Sequence, residues 1–157
     1  MRSATLALFV SLLFGLPETH AGTTDIERRV YDTHRVEPAP LLDGILDDAA
    51  WREVDWSGGF IQRDPSDGEP PSQETKFKVV YDDHAIYFGV RAHDEPAETT
   101  SHLARRDGFP GDWVEVNIDS YNDRRTAFSF TLSLSGTRSD EFISNDGRNV
   151  DGNWDPV

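Results

Sequence analysis

Cysteine is absent from the 157 residues, so no disulfide can hold the fold, no thiolate can serve as nucleophile or metal ligand, and no thiol is available for the lipid anchor of a bacterial lipoprotein. Positive charge is scarce: lysine occurs only at Lys76 and Lys78, and 15 basic against 29 acidic side chains leave a net charge of −14. Such a chain lacks the basic footprint that phosphates require, which excludes nucleic acid; uncharged ligands or divalent cations suit it better than polyanions. No serine sits in a G-x-S-x-G turn, and His34, His84, His93 and His102 are scattered with no pair at metal-ligand spacing, so no catalytic constellation is present. After residue 21 no useful length repeats apolar residues at the helical period.

The single long apolar run, Ala4 to Leu16, is too short to span a bilayer comfortably. With Arg2 before it, Pro17 after it and small residues at Thr19 and Ala21, it reads as a secretory signal peptide over residues 1–21, cleaved after Ala21. The alternative, a buried N-terminal helix, has no cap and runs into a turn-rich segment. Removing 21 residues from 157 leaves 136, one domain over residues 22–157. The expected location is the periplasm, the outer membrane or the extracellular space.

Alternation of apolar and polar residues dominates the remainder. In TKFKVVYDDHAIYFGVRAHD, residues 75–94, Phe77, Val79 and Tyr81 fall on one side and Lys76 and Lys78 on the other. After Asp82, Asp83 and His84 the apolar side resumes at Ile86, Phe88, Val90 and Ala92. A period of two sends successive side chains to opposite faces, so the segment predicts an antiparallel hairpin with that apolar face in the core. DWVEVNIDSY and TAFSFTLSL repeat the pattern, with Val114, Val116, Ile118, Phe128, Phe130, Leu132 and Leu134 inward and a hairpin loop at residues 122–125. Weaker strands are expected at 30–36, at 59–63 and near Phe142, with a turn at Asn145-Asp146-Gly147. In PLLDGILDDAAWREV, Asp47 or Asp48 can cap a short helical turn that directs Trp51 and Val54 at the sheet. Without helices, a second sheet must cover the first, so the predicted class is an all-β antiparallel β-sandwich. Trp154 and Val157 look like the opening of a strand with no partner, so the sandwich is expected to be incomplete at its C-terminus, an N-terminal piece of a longer protein.

The outward sides of the last two long strands carry the candidate chemistry. If these strands pair, Glu115, Asn117 and Asp119 stand beside Ser129, Thr131 and Ser133. Short hydroxyls beside a carboxylate form a shallow groove able to hydrogen-bond a sugar, although a plain solvated face has the same pattern. Phe109, in the preceding loop, and Trp113, at the strand start, offer flat apolar faces to the C–H side of a sugar ring, or else lie beneath a loop. Arg91 and His93 share the outward face of their strand and are candidates to border the groove.

The order DGILDDAAW, KVVYDDHAIYFGVRAHD, DWVEVNID strongly resembles the family 9 carbohydrate-binding module and its relatives, found at the N-terminus of large exported bacterial proteins. The resemblance covers residues 40–134; the YDDHAIYF hairpin and the D-x-V-E-V-x-I-D strand are its most specific parts. It implies a β-sandwich that clamps a glycan or oligosaccharide end between two tryptophans and contains structural calcium (Ca2+). Carried over by residue, the first clamp position falls at Phe109, the carboxylate that meets sugar hydroxyls at Glu115, and an expected basic residue at Thr131; the second clamp tryptophan belongs beyond Val157. The closest members are fused to a large C-terminal region resembling an outer-membrane β-barrel. That implies a context of polysaccharide breakdown or uptake, with any membrane contact made through such a region.

Two other readings remain open. Asn149-x-Asp151-x-Asn153-x-Asp155 alternates oxygen donors, which makes Asp151, Asn153 and Asp155 metal candidates and the chain a calcium-stiffened structural or interaction domain of a cell-envelope protein; solvated acids in a turn look the same. A glycoside hydrolase needs two carboxyl groups about 5–10 Å apart, whereas Glu115 and Asp119 lie roughly 13 Å apart along one strand at about 3.3 Å per residue. Non-catalytic carbohydrate binding is the expected function. Export is checked by mass spectrometry of the chain expressed in a bacterial host: the product is expected outside the cytoplasm beginning at Gly22, and a cytoplasmic chain retaining Met1 contradicts the leader.

Overall fold

The computed structural model describes residues 29–108 and 110–155. The expected leader at 1–21 and Phe109 lie outside the described residues. From Tyr31 onward the chain is one compact unit. Strands β1 (His34–Arg35), β2 (Thr75–Tyr81) and β3 (Ile86–Ala92) make a three-stranded sheet. Strands β4 (Trp113–Ile118), β5 (Ala127–Ser133), β6 (Arg138–Ser144) and β7 (Asn149–Asp151) make a four-stranded antiparallel one. With one 3₁₀ turn at Ala49–Arg52 among the described residues, the architecture is the all-β sandwich class that the alternation predicts.

Both long hairpins form in the expected register, β2 with β3 from Thr75↔Ala92 to Tyr81↔Ile86 and β4 with β5 from Trp113↔Ser133 to Ile118↔Phe128. Their turns are closed by carboxylates. Asp82 accepts the amides of His84 at 2.7 Å and Ala85 at 2.8 Å and the Tyr87 hydroxyl at 2.9 Å. Asp123 accepts the amides of Arg125 and Thr126, each at 2.8 Å. Amides donated to a carboxylate favour its charged form, so both carboxyls are held below the usual range, Asp82 chiefly by His84 and Asp123 chiefly by Arg125. At 145–147 Asn145, Asp146 and Gly147 all take positive φ to turn β6 into β7.

Three expectations about individual elements need correction, and a fourth concerns the buried face of the β2–β3 hairpin. The first strand shrinks from 30–36 to His34–Arg35, which runs parallel to β2. No strand forms at 59–63: Ser57 makes a single rung with Phe77, and the amide and carbonyl of Gln62 pair with Glu69 and Gly68 of its own loop. Asp48 does stand at the start of the 3₁₀ turn, but it caps nothing there, because its carboxylate accepts the Leu41 amide at 3.1 Å.

The buried face of the β2–β3 hairpin is not the one its apolar alternation indicates. Val36, Ala50, Trp51, Val54 and Val80 form the core cluster, joined by Tyr31, Leu46 and Tyr87. Val80 and Tyr87 face each other in the ladder, so this core lies on the side that also carries Lys78 and Gly89. Glycine makes it possible: a Cβ at Gly89 would sit 3.2 Å from the Trp51 ring and 3.0 Å from Leu46, so the missing side chain is the seat of the indole. Lys78 passes beside it and donates to the Trp51 carbonyl at 2.6 Å. On the opposite face Phe77 has Tyr31 and Phe60 as ring neighbours, while Ile86 and Phe88 remain exposed. Trp51→Ala is therefore expected to cost about 3–5 kcal/mol in chemical unfolding, and Phe88→Ala less than half as much; equal losses would contradict this choice of face.

Candidate functional site

The four-stranded sheet sorts its side chains as the pleat requires. Val114, Val116, Ile118, Phe128, Phe130, Leu132 and Phe142 share one face with Asp140; Trp113, Glu115, Asn117, Ser129, Thr131, Ser133, Ser139 and Glu141 share the other. Pairing arranges the polar face in rows across the strands, Glu115–Thr131–Ser139 and Asn117–Ser129–Glu141. Two glutamates thus flank a floor of small hydroxylic residues. Their strands are separated by β5, a spacing of about 10 Å at roughly 4.8 Å per strand.

Hydrogen bonds fix the Glu115 carboxylate. Asn117 Nδ2 donates to Oε1 at 2.6 Å, and Thr131 Oγ1 donates to Oε2 at 3.5 Å. Each oxygen of this exposed carboxylate receives one donor, which leaves further lone pairs for incoming hydroxyls. Trp113, two residues before Glu115 on the same face, exposes about half of its surface, 51%. Its position is set by a pinch in the loop before β4. Gly111, at φ +101°, lies so close to Thr100 that a Cβ would approach the Thr100 carbonyl oxygen to 2.4 Å. Asp112 then locks the pinch, donating its amide to that carbonyl at 2.9 Å and accepting the Thr100 amide at 2.7 Å.

Along β5 burial runs opposite to expectation. Ser129 and Ser133 are buried, at 1% and 6% exposure, while Phe130 and Leu132 expose 40% and 48%. The serines are short side chains on a central strand between longer ones on β4 and β6. On the other face Trp154 covers Phe128 and Phe130, with ring centroids 4.8 Å and 6.0 Å away. The Ser129 and Ser139 hydroxyls are buried without a protein partner.

Of the residues singled out from the sequence, the structure brings together Trp113, Glu115, Asn117 and Thr131. Asp119 leaves the face: it follows β4, and its carboxylate accepts the amides of Asp123 and Arg124. Arg91 is not at the groove. It stands on β3 of the other sheet, its guanidinium 4.9 Å from the centre of the Trp56 ring. Phe109 is outside the described residues. Glu141 and Ser139 were missed, because the strand expected near Phe142 carried no starting register; the tight turn at Gly136, φ +83°, was the signal that fixes it.

The run 151–155 does not fit a calcium cage. Asp151 accepts the Asn153 amide at 3.0 Å, and Asp155 pairs with Arg106 at 3.4 Å. Arg106 also pairs with Asp140, so a guanidinium already supplies the charge that a divalent ion would bring. Among the described residues no three His, Asp or Glu side chains gather at metal-binding distance.

The sequence pattern of the carbohydrate family 9 binding domain-like family matches residues 42–139, well over half of the chain. The chain belongs to this family. The matched span of this carbohydrate-binding domain holds both long hairpins and ends in β6, so it includes Trp113, Glu115, Asn117, Thr131 and Ser139. Neither the curated proteins nor the solved structures gave a match.

Proposed function

We propose that this family 9 domain is a non-catalytic module that holds a glycan or oligosaccharide end on the polar face of β4, β5 and β6. The observation that carries this reading is the Glu115 carboxylate, exposed and oriented by Asn117 and Thr131. A fixed carboxylate accepts two sugar hydroxyls without first having to be ordered, and charge-assisted hydrogen bonds are the strong ones. Trp113 supplies an apolar plane beside it for the C–H face of the ring, and Glu141 bounds the far side of the floor. Thr131, in place of a basic residue, donates to Glu115 and leaves recognition to the exposed carboxylate acceptors.

The wider setting follows the leader-like residues 1–21: export to the periplasm, outer membrane or cell exterior, in a protein engaged in polysaccharide breakdown or uptake. Attachment to a membrane would be made by other parts of such a protein.

Calorimetric titration with a panel of neutral mono- and oligosaccharides, each oligosaccharide also in a form with its reducing end converted to the alditol, tests the proposal. At least one free-ended sugar is expected to bind and its alditol to bind more weakly. Glu115→Ala removes a charge-assisted bond of about 1.5–3 kcal/mol and is expected to weaken binding roughly 10- to 100-fold. No heat with any sugar, or unchanged affinity in Glu115→Ala, would refute it.

A further inference from the structure

The three-stranded sheet carries a second concave feature with the opposite charge. A cleft of about 570 Å³ lies between the 3₁₀ turn and the β2–β3 hairpin, lined among others by Trp51, Arg52, Trp56, Lys78 and Arg91. The Lys78 ammonium and the Arg91 guanidinium stand 5.0 Å and 4.9 Å from the centre of the same Trp56 ring. Indole faces attract cations, so Trp56 holds both heads in place. In a chain with 29 acidic side chains, none of Arg52, Lys78 and Arg91 forms an ion pair among the described residues. Arg52 donates to the Asp47 carbonyl at 2.9 Å and Lys78 to the Trp51 carbonyl at 2.6 Å; Asp47 is the cleft's one acid. Trp51, only 3% exposed, keeps a buried indole N–H with no acceptor.

From this arrangement we infer that the cleft binds a carboxylate-bearing sugar, a uronic acid residue of an acidic glycan. Each observation bears on one part of the ligand. Three cations line one cleft, which favours an anion there, and guanidinium groups match the paired oxygens of a carboxylate. Their mutual repulsion falls when that anion sits among them. The cleft, at about 570 Å³, is far larger than a lone inorganic anion fills, and the partly exposed Trp56 indole supplies apolar surface at its edge for a pyranose ring. The inference takes from the proposed function only that the ligand is a sugar. The site lies on the other sheet and uses none of the residues around Glu115.

The test is titration of the protein with glucuronate and galacturonate, with their methyl esters, and with inorganic phosphate as competitor. One of the two uronates is expected to bind, its methyl ester at least tenfold more weakly. Arg91→Gln and Arg52→Gln, both at exposed positions, are each expected to weaken it about tenfold with an unchanged circular dichroism spectrum. In Glu115→Ala the uronate still binds, so failure of one site is distinguished from failure of the other. The inference is overturned if neither uronate binds at millimolar concentration, if ester and acid bind alike, if both arginine variants bind like the parent, or if phosphate displaces the uronate at equal concentration.

Discussion

Residues opposite each other in a strand ladder must point the same way, and the candidate site depends on this constraint. Glu115, Thr131 and Ser139 come from three strands, yet the pairing leaves them no choice but to line up. A slip of one residue between β4 and β5 would put valine opposite Thr131 and send the glutamate to the apolar side, and a slip between β5 and β6 would put Arg138 or Asp140 in the place of Ser139. What holds the register is local: carboxylates closing turns, as Asp123 does between β4 and β5, and left-handed positions at Gly136 and at 145–147. Turn chemistry thereby sets the chemistry of a face several residues away.

A second device operates in the three-stranded sheet, where a missing side chain does the positioning. Gly89 leaves a seat that Trp51 fills, and the core assembles around that contact. The consequence is a hairpin covered on its nominally polar side. Lys78 and Arg91 extend past the buried indole with their heads against Trp56, their stems adding apolar surface. The same packing that buries Trp51 thus gathers cations in a cleft of an acidic protein, and each sheet offers a polar surface of its own sign.

Short-range pattern made much of this legible. The two long hairpins, their turns, the all-β class and the meeting of Glu115 with Thr131 all follow from period two and a few turn residues. What the pattern could not show depends on partners distant in sequence. Which face of β2–β3 is buried was decided by a tryptophan 38 positions before the glycine that receives it, 89 − 51. Lysines at alternate positions suggested a wet face, since alternation reports polarity and not cover. Arg91 was misplaced because a face shared along one strand does not say which aromatic comes to meet it. The acids at 151–155 looked like a metal loop until Arg106, from a loop some fifty residues earlier, was found paired with Asp155. Ser129 and Ser133 show the converse, buried through the length of their neighbours and not through their own polarity.

In the proposed complex the exposed groups of the polar face of β4, β5 and β6, Glu115 foremost, meet the sugar. This contact is tested most directly by mapping backbone amide chemical shifts in the protein while a binding neutral oligosaccharide is added. Shifts are expected to concentrate on β4, β5 and β6 around Trp113, Glu115, Asn117, Thr131 and Glu141, with the β2–β3 hairpin little changed. Shifts centred on the β2–β3 hairpin would contradict the proposed complex.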